Sequence, residues 1–185
     1  MPVTIKIPLP NEARLTPEIV ATLGKLPALN VFRMMANAPA SFEPLINFAM
    51  SILLRSEFDK RKREIAVLRV AQVTRSSYEW TQHVAVAKSV GVSDDEIAAI
   101  KVDGAVTRLD AEGNLLCRVA DEISRDVRLS DEALAAIMDR YGVRQATELI
   151  LCCSYFNMLS RFLESTRVEL EPQPPLPSAR RPGNS

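Results

Sequence analysis

The segment from Gln145 to Ser165 limits the fold more than any other. Leu149, Ile150, Leu151, Tyr155, Phe156, Leu159 and Phe162 fall on nearly every side of a helix. A helix that is apolar almost all round has to sit in a core or against a second subunit, because exposed apolar area of that size is rare on monomers. The rest of the chain must wrap around it or carry it to a partner. Only 5% of the 185 residues are aromatic, and Ala and Leu are abundant, which favours helices as the wrapping elements. The expected fold class is therefore all-α, a helical bundle.

Capping residues and apolar periodicity divide the chain. Thr16-Pro17-Glu18 reads as an N-cap, a first-turn proline and a first-turn acid, followed by Ile19, Val20, Leu23 and Leu26. A short helix is expected over Leu29 to Met35, and a longer one over Ala40 to Leu54. Residues 59–74 form a strong helix, Thr74 to Ser77 a turn, and Ser77 to Val90 another helix that stops at Gly91. Ser93-Asp94-Asp95-Glu96 is a capping box for a short helix to about Lys101. After a loop over 102–109, helices are expected over Asp110 to Val127, from Ser130 to Gly142, and from Gln145 to Ser165. This gives an N-terminal arm over 1–15, one all-α domain over 16–168, and a Pro-rich tail over 169–185, disordered or wrapped on a neighbour.

Charge and composition narrow the function classes. The chain has 23 basic and 23 acidic side chains, so no net charge draws it to nucleic acid or a lipid surface. The basic run Lys60-Arg61-Lys62-Arg63 lies between Asp59 and Glu64 and reads as a solvated face. The start of the chain does not read as a signal peptide, and no apolar run reaches the ~20 residues that span a bilayer. The expected location is the cytoplasm. Cys117, Cys152 and Cys153 have no framework spacing, and adjacent Cys152 and Cys153 read as small core residues. One histidine with scattered carboxylates is a poor metal set, so no metal is expected.

The chemistry-bearing residues crowd between Glu64 and His83. His83 is the only histidine and Trp80 the only tryptophan. Glu79 and His83 are four residues apart and share a helix face, and a carboxylate beside an imidazole favours the imidazolium. Such a pair is an acid–base unit near neutral pH. If helices 59–74 and 77–90 form a hairpin about Arg75, Glu64 lies roughly 16 Å from the turn and His83 roughly 12 Å, at similar depth. Plainer roles compete with this one. Ser76-x-x-Glu79 is also a capping box. His83 is equally compatible with a hydrogen-bonded core position, and Glu64 with pairing to Lys60 or Arg61. Tyr78 and Trp80 suit helix packing, with Tyr78 also able to donate to a ligand.

Residues 63–71 (Arg63-Glu64-Ile65-Ala66-Val67-Leu68-Arg69-Val70-Ala71), then Tyr78-Glu79-Trp80 and His83, then Gly91-Val92-Ser93-Asp94-Asp95-Glu96-Ile97, resemble the core of the carboxymuconolactone decarboxylase / alkylhydroperoxidase D family. The likeness covers roughly residues 40–101. Peroxidase members of that family carry a glutamate, then C-x-x-C, then a histidine four residues after the second cysteine. Aligned on His83, the glutamate falls on Glu64 and the cysteines on Ser76 and Glu79. The chain thus resembles a branch that keeps the proton-handling ends and lacks both sulfurs, and a serine hydroxyl cannot cycle through a disulfide.

The resemblance implies an alkylhydroperoxidase D-like bundle that assembles as a dimer, trimer or hexamer. It implies a cofactor-independent acid–base enzyme acting on a small organic acid, lactone or related carbonyl compound in catabolism, with decarboxylation fitting the residue set. His83, Glu79 and Glu64 are the expected catalytic residues; Tyr78, Ser76 and Trp80 are expected to bind the substrate. The alternatives are a peroxidase-like oxidoreductase using Cys117, Cys152 or Cys153, and a non-catalytic helical oligomer that binds a small ligand.

Overall fold

The computed structural model describes residues 5–172. Among them the secondary structure is helical, with no strand. A 3-10 turn over Glu12–Arg14 leads into α1 (Pro17–Leu23), α2 (Asn30–Met35), α3 (Pro39–Met50), α4 (Lys60–Thr74), α5 (Ser77–Ser89), α6 (Asp94–Ile100), α7 (Ala111–Arg125) and α8 (Asp131–Thr166). Among the described residues no helix is long and apolar enough to cross a membrane. The Pro-rich tail expected over 169–185 lies outside the described residues beyond position 172.

Side-chain caps set most of the starts. Thr16 accepts from Ile19 N–H, Asp59 from Lys62 N–H at 2.9 Å, Asp110 from Gly113 N–H at 2.6 Å and Ser130 from Ala133 N–H at 3.2 Å. Ser93 and Glu96 form the full reciprocal box expected at α6. Arg75, in the left-handed region at φ 58°, closes α4 and turns the chain directly into α5. Two boundaries differ from the sequence expectation. The helix expected over 40–54 is α-helical only to Met50 and then widens into a π-helical segment, Ser51–Arg55. Its Leu53 carbonyl accepts from Arg63 Nη1 at 2.8 Å. The break expected near 142–145 is a kink at Gly142 inside α8, with φ 72° and ψ 168°.

The most enclosed helix is α4, not the last one. Every side chain from Arg63 to Ala71 is buried, because α5, α7 and α8 all pack on it. The apolar last helix, the second part of α8, buries Leu149, Phe156, Leu159 and Leu163, while Leu151 and Met158 remain 46% and 41% exposed. Its outer face is thus uncovered among the described residues.

Placing a charged helix at the centre requires each buried charge to be matched. Arg61 meets Glu96 at 2.5 Å, Lys62 meets Glu112 at 2.9 Å, and Arg63 meets Glu64 at 3.0 Å. Of the basic run, only Arg63 is carried into the interior; Arg61 and Lys62 sit in partly exposed ion pairs, and Lys60 stays exposed as a solvated-face residue would. Arg69 is fully buried. Its guanidinium takes both Asp121 oxygens, at 2.7 and 3.0 Å, and the carbonyls of Ile100, Val102 and Gly104. It thereby fixes the loop between α6 and α7 to the central helix.

Candidate active site

The hairpin of α4 and α5 brings Glu64 against His83: Nδ1 lies 2.7 Å from Glu64 Oε2. Glu64 is fully buried, and its other oxygen accepts from Arg63, with Nε at 3.1 Å and Nη2 at 3.0 Å. An ionised carboxylate can only accept, so Nδ1 carries a proton and the imidazole is oriented by that bond. His83 Nε2 has no hydrogen bond among the described residues. The ring also meets Phe156 edge-on, with centroids 4.8 Å apart.

His83 lines a cavity of about 460 Å³. Met35, Ala49, Leu53, Tyr155, Phe156 and Leu159 supply much of its apolar wall, and Arg63, Tyr78, Glu79 and Gln82 add polar groups. Volume and lining suit a small organic molecule. Glu64 stands behind His83, out of the cavity wall.

Glu79 shares the α5 face of His83 but makes a different contact. Its Oε2 accepts from the Ser160 hydroxyl on α8, and Ser160 is also 2.9 Å from Thr74 Oγ1. Glu79 Oε1 is buried with no partner. The capping-box role for Ser76 and Glu79 is therefore not the one adopted. The Ser76 side chain caps nothing and its buried hydroxyl is unpartnered, while Glu79 points into the interior.

The charges separate sharply. Burial opposes ionisation of Glu64, but the charge and hydrogen bond of His83, aided by Arg63, outweigh it and hold this carboxyl below the ordinary range. Burial also works against the imidazolium; the Glu64 charge and hydrogen bond, with Glu79 adding to them, overcome it and raise the histidine. Burial dominates at Glu79 and pushes it up to about 7, with Ser160 and His83 offsetting only part. Near neutral pH the site holds an anionic Glu64, a proton-rich His83 and a Glu79 poised between its two forms. Titratable groups driven apart in this way suit acid–base work.

Not every expected residue reaches the cavity. At about 100° per residue, Tyr78, Gln82, Val86, Glu79 and His83 occupy one broad face of α5, and these five line the cavity. Trp80 lies past the edge of that face and sits half-buried with Lys101 Nζ 5.3 Å from its ring centroid. Ser76 is buried at the helix start and does not line the cavity either. Tyr78 does, and its hydroxyl accepts from Val31 N–H at 3.1 Å.

Arg63, Gln82, Ser160 and Glu171 were not picked out from the sequence. Arg63 abuts Glu64, and Gln82 is four residues from Tyr78, so helical spacing was available as a signal for both. Ser160 and Glu171 contact partners more than 80 residues away and have no local signal.

The helical bundle that carries this cavity has the alkylhydroperoxidase D-like fold. The uncharacterized peroxidase-related protein from Silicibacter sp. TM1040 superposes with a TM-score of 0.75 at 16% identity, over 91% of each chain. An alkylhydroperoxidase AhpD core protein, also an uncharacterized peroxidase-related protein, from Ralstonia eutropha JMP134 gives 0.76 at 15% identity, over 90% of this chain and 92% of that one. A protein of unknown function from Agrobacterium tumefaciens, a putative antioxidant defence protein AhpD, gives 0.60 at 17%, over 75% and 92%. At these identities the likeness is one of fold. Residues 39–122, which contain Glu64, Glu79 and His83, match the carboxymuconolactone decarboxylase family model. No curated protein is significantly similar in sequence.

Proposed function

We propose that the protein is an acid–base enzyme needing no cofactor, acting on a small organic acid, lactone or related carbonyl compound, with decarboxylation as the reaction that suits the residues best. The observation that carries this reading is the 2.7 Å Glu64–His83 bond behind a cavity that His83 itself lines. Glu64 holds Nδ1, so Nε2 is the atom left to meet a substrate. In a decarboxylation the C–C bond to the carboxylate breaks and its electrons pass to an adjacent carbonyl as an enolate. A hydrogen bond from protonated Nε2 to that oxygen stabilises the developing charge. Carbon dioxide departs as that bond breaks, and the carbon left behind then takes a proton from His83 or from neutral Glu79 while the enolate returns to a carbonyl. The apolar wall strengthens these electrostatic terms by excluding water.

A dithiol peroxidase fits the site less well. Positions 76 and 79 hold Ser and Glu. Cys117, Cys152 and Cys153 are buried, and burial pushes Cys117 and Cys153 up to about 12 and Cys152 well above its usual value. Thiols held protonated are poor nucleophiles.

The test is turnover of a panel of lactones and oxo acids. His83→Ala and Glu64→Gln are each expected to lower kcat by roughly 10²-fold or more with the fold intact. Full activity in both variants would remove the acid–base reading.

A further inference from the structure

The last described residues return to two side chains that line the cavity. Glu171 Oε1 accepts from the Tyr78 hydroxyl at 2.6 Å, and Oε2 from Gln82 Nε2 at 2.6 Å. The backbone N–H of Asn30 also donates to Oε1. Tyr78 and Gln82 both line the cavity, and they are only 3% and 6% exposed. The Tyr78 hydroxyl is committed to donating outward, because Val31 N–H already fills its acceptor side. Three donors thus converge on one carboxylate, and no cation lies within ion-pair distance of it among the described residues. Such a set recognises a carboxylate by direction rather than by net charge. The buried Gln82 Oε1 has no partner, so the amide is held without its second bond satisfied by the protein.

The cradle has a fixed relation to the acid–base residues. Tyr78 and Gln82 form one row along α5, and Glu79 and His83 form the adjacent row, about 100° further round the helix. A molecule whose carboxylate lies on the first row presents its neighbouring carbons to the second. The remaining wall of the cavity is apolar, formed by Met35, Leu53, Phe156 and Leu159 among others.

We propose that the Tyr78–Gln82–Asn30 cradle is a binding site for the carboxylate of a small organic acid with an apolar body, and that Glu171 occupies it as a tethered competitor. This deepens the enzyme reading above by naming the group that anchors the substrate, and it rests on that reading only for the reaction. A carboxylate on a short tether competes at an effective concentration on the order of millimolar. Its removal raises the fraction of protein open to a free acid and tightens apparent binding by the same factor.

The experiment compares the full chain with Glu171→Ala by ligand-observed NMR, using benzoate, phenylacetate and hexanoate, each beside its neutral amide. The expected result is that carboxylates bind Glu171→Ala roughly tenfold or more tighter than they bind the native chain. The amides should change by less than about twofold, since they lack the charge that strengthens the three bonds. In the double variant Tyr78→Phe, Glu171→Ala the preference for acid over amide should fall away. Amides gaining as much as acids would mean that Glu171 only narrows the opening, which overturns the proposal. Equal carboxylate affinity in the native chain and Glu171→Ala, or no carboxylate binding to either, overturns it as well. The His83 imidazole titration on the same samples reports the acid–base unit independently. A failed cradle leaves that titration unaltered, whereas a failed enzyme reading appears as turnover indifferent to His83→Ala.

Discussion

Glu64 and His83 are 19 positions apart in sequence, yet their side chains meet at 2.7 Å, because Arg75 and Ser76 fold α5 back along α4 within two residues. Glu79, on the same face as His83, acts on the ring by its charge but accepts its hydrogen bond from Ser160. The two carboxylates therefore have distinct parts in the titration of the one imidazole.

That difference is measurable. His83 is the sole histidine, so its ring resonances identify themselves. Glu64→Gln removes the largest influence that raises the histidine and leaves the opposing burial in place. The titration midpoint should fall below the native value, and below the ordinary value of about 6.5. Glu79→Gln should lower it less. Equal shifts in the two variants would contradict the hydrogen-bonding pattern.

Stability should carry the signature of Glu79. Its native pKa is raised to about 7 from 4.5, so between those values the folded protein binds more protons than the unfolded chain. Stability contributed by the neutral carboxyl is present below about 4.5 and is lost as pH rises to about 7, by on the order of a few kcal/mol. Glu64 acts in the opposite sense: its pKa is depressed, so its contribution is lost as pH falls through the acidic range. Urea midpoints measured across this range should show a decline toward neutral pH that Glu79→Gln flattens. An unchanged slope in the variant would place the coupling elsewhere.

Much of this was open to sequence reasoning for a physical reason. Helix starts are encoded locally by a side chain and the N–H groups within three residues, so Thr16, Asp59, Ser93, Asp110 and Ser130 mark them in the sequence. The depth of Glu64 and His83 followed from counting residues on each side of Arg75. The environment of Glu79 did not follow. Ser76-x-x-Glu79 spells a local cap, but Ser160 brings a competing partner from 81 positions away. Trp80 and Ser76 shared the dense segment but missed the cavity, since closeness in sequence does not set the direction of a side chain around a helix. The burial of α4 was hidden for a related reason: its charges are matched by Glu96, Glu112 and Asp121 from other helices.

Gly142 offers a clean backbone test. Its dihedrals, φ 72° and ψ 168°, lie in a region essentially confined to glycine, and an added Cβ would meet nothing within 4 Å. Gly142→Ala should therefore destabilise by about 1–3 kcal/mol through backbone strain alone, with the His83 titration unchanged. Chemical denaturation with both forms measured side by side checks this.

The exposed outer face of α8 bears on assembly. Leu151 and Met158 lie two helical turns apart on it, and both are partly open to water. We expect this face to be covered by another copy of the chain. Light scattering at micromolar concentration should give a mass above that of one 20.5 kDa chain, and Leu151→Lys should shift it toward that value. A monomer in the native protein would refute the assembly.

Arg69 constrains how the molecule can come apart. Withdrawing its guanidinium would strand three carbonyls of the α6–α7 connection and leave an uncompensated charge among apolar side chains. A connection of this kind would ordinarily open by itself, in fast local fluctuations that let amide hydrogens exchange with solvent. Here the connection is knotted to the middle of the most enclosed helix. It should open together with that helix as one cooperative unit, a stretch without regular structure that exchanges on the timescale of the core.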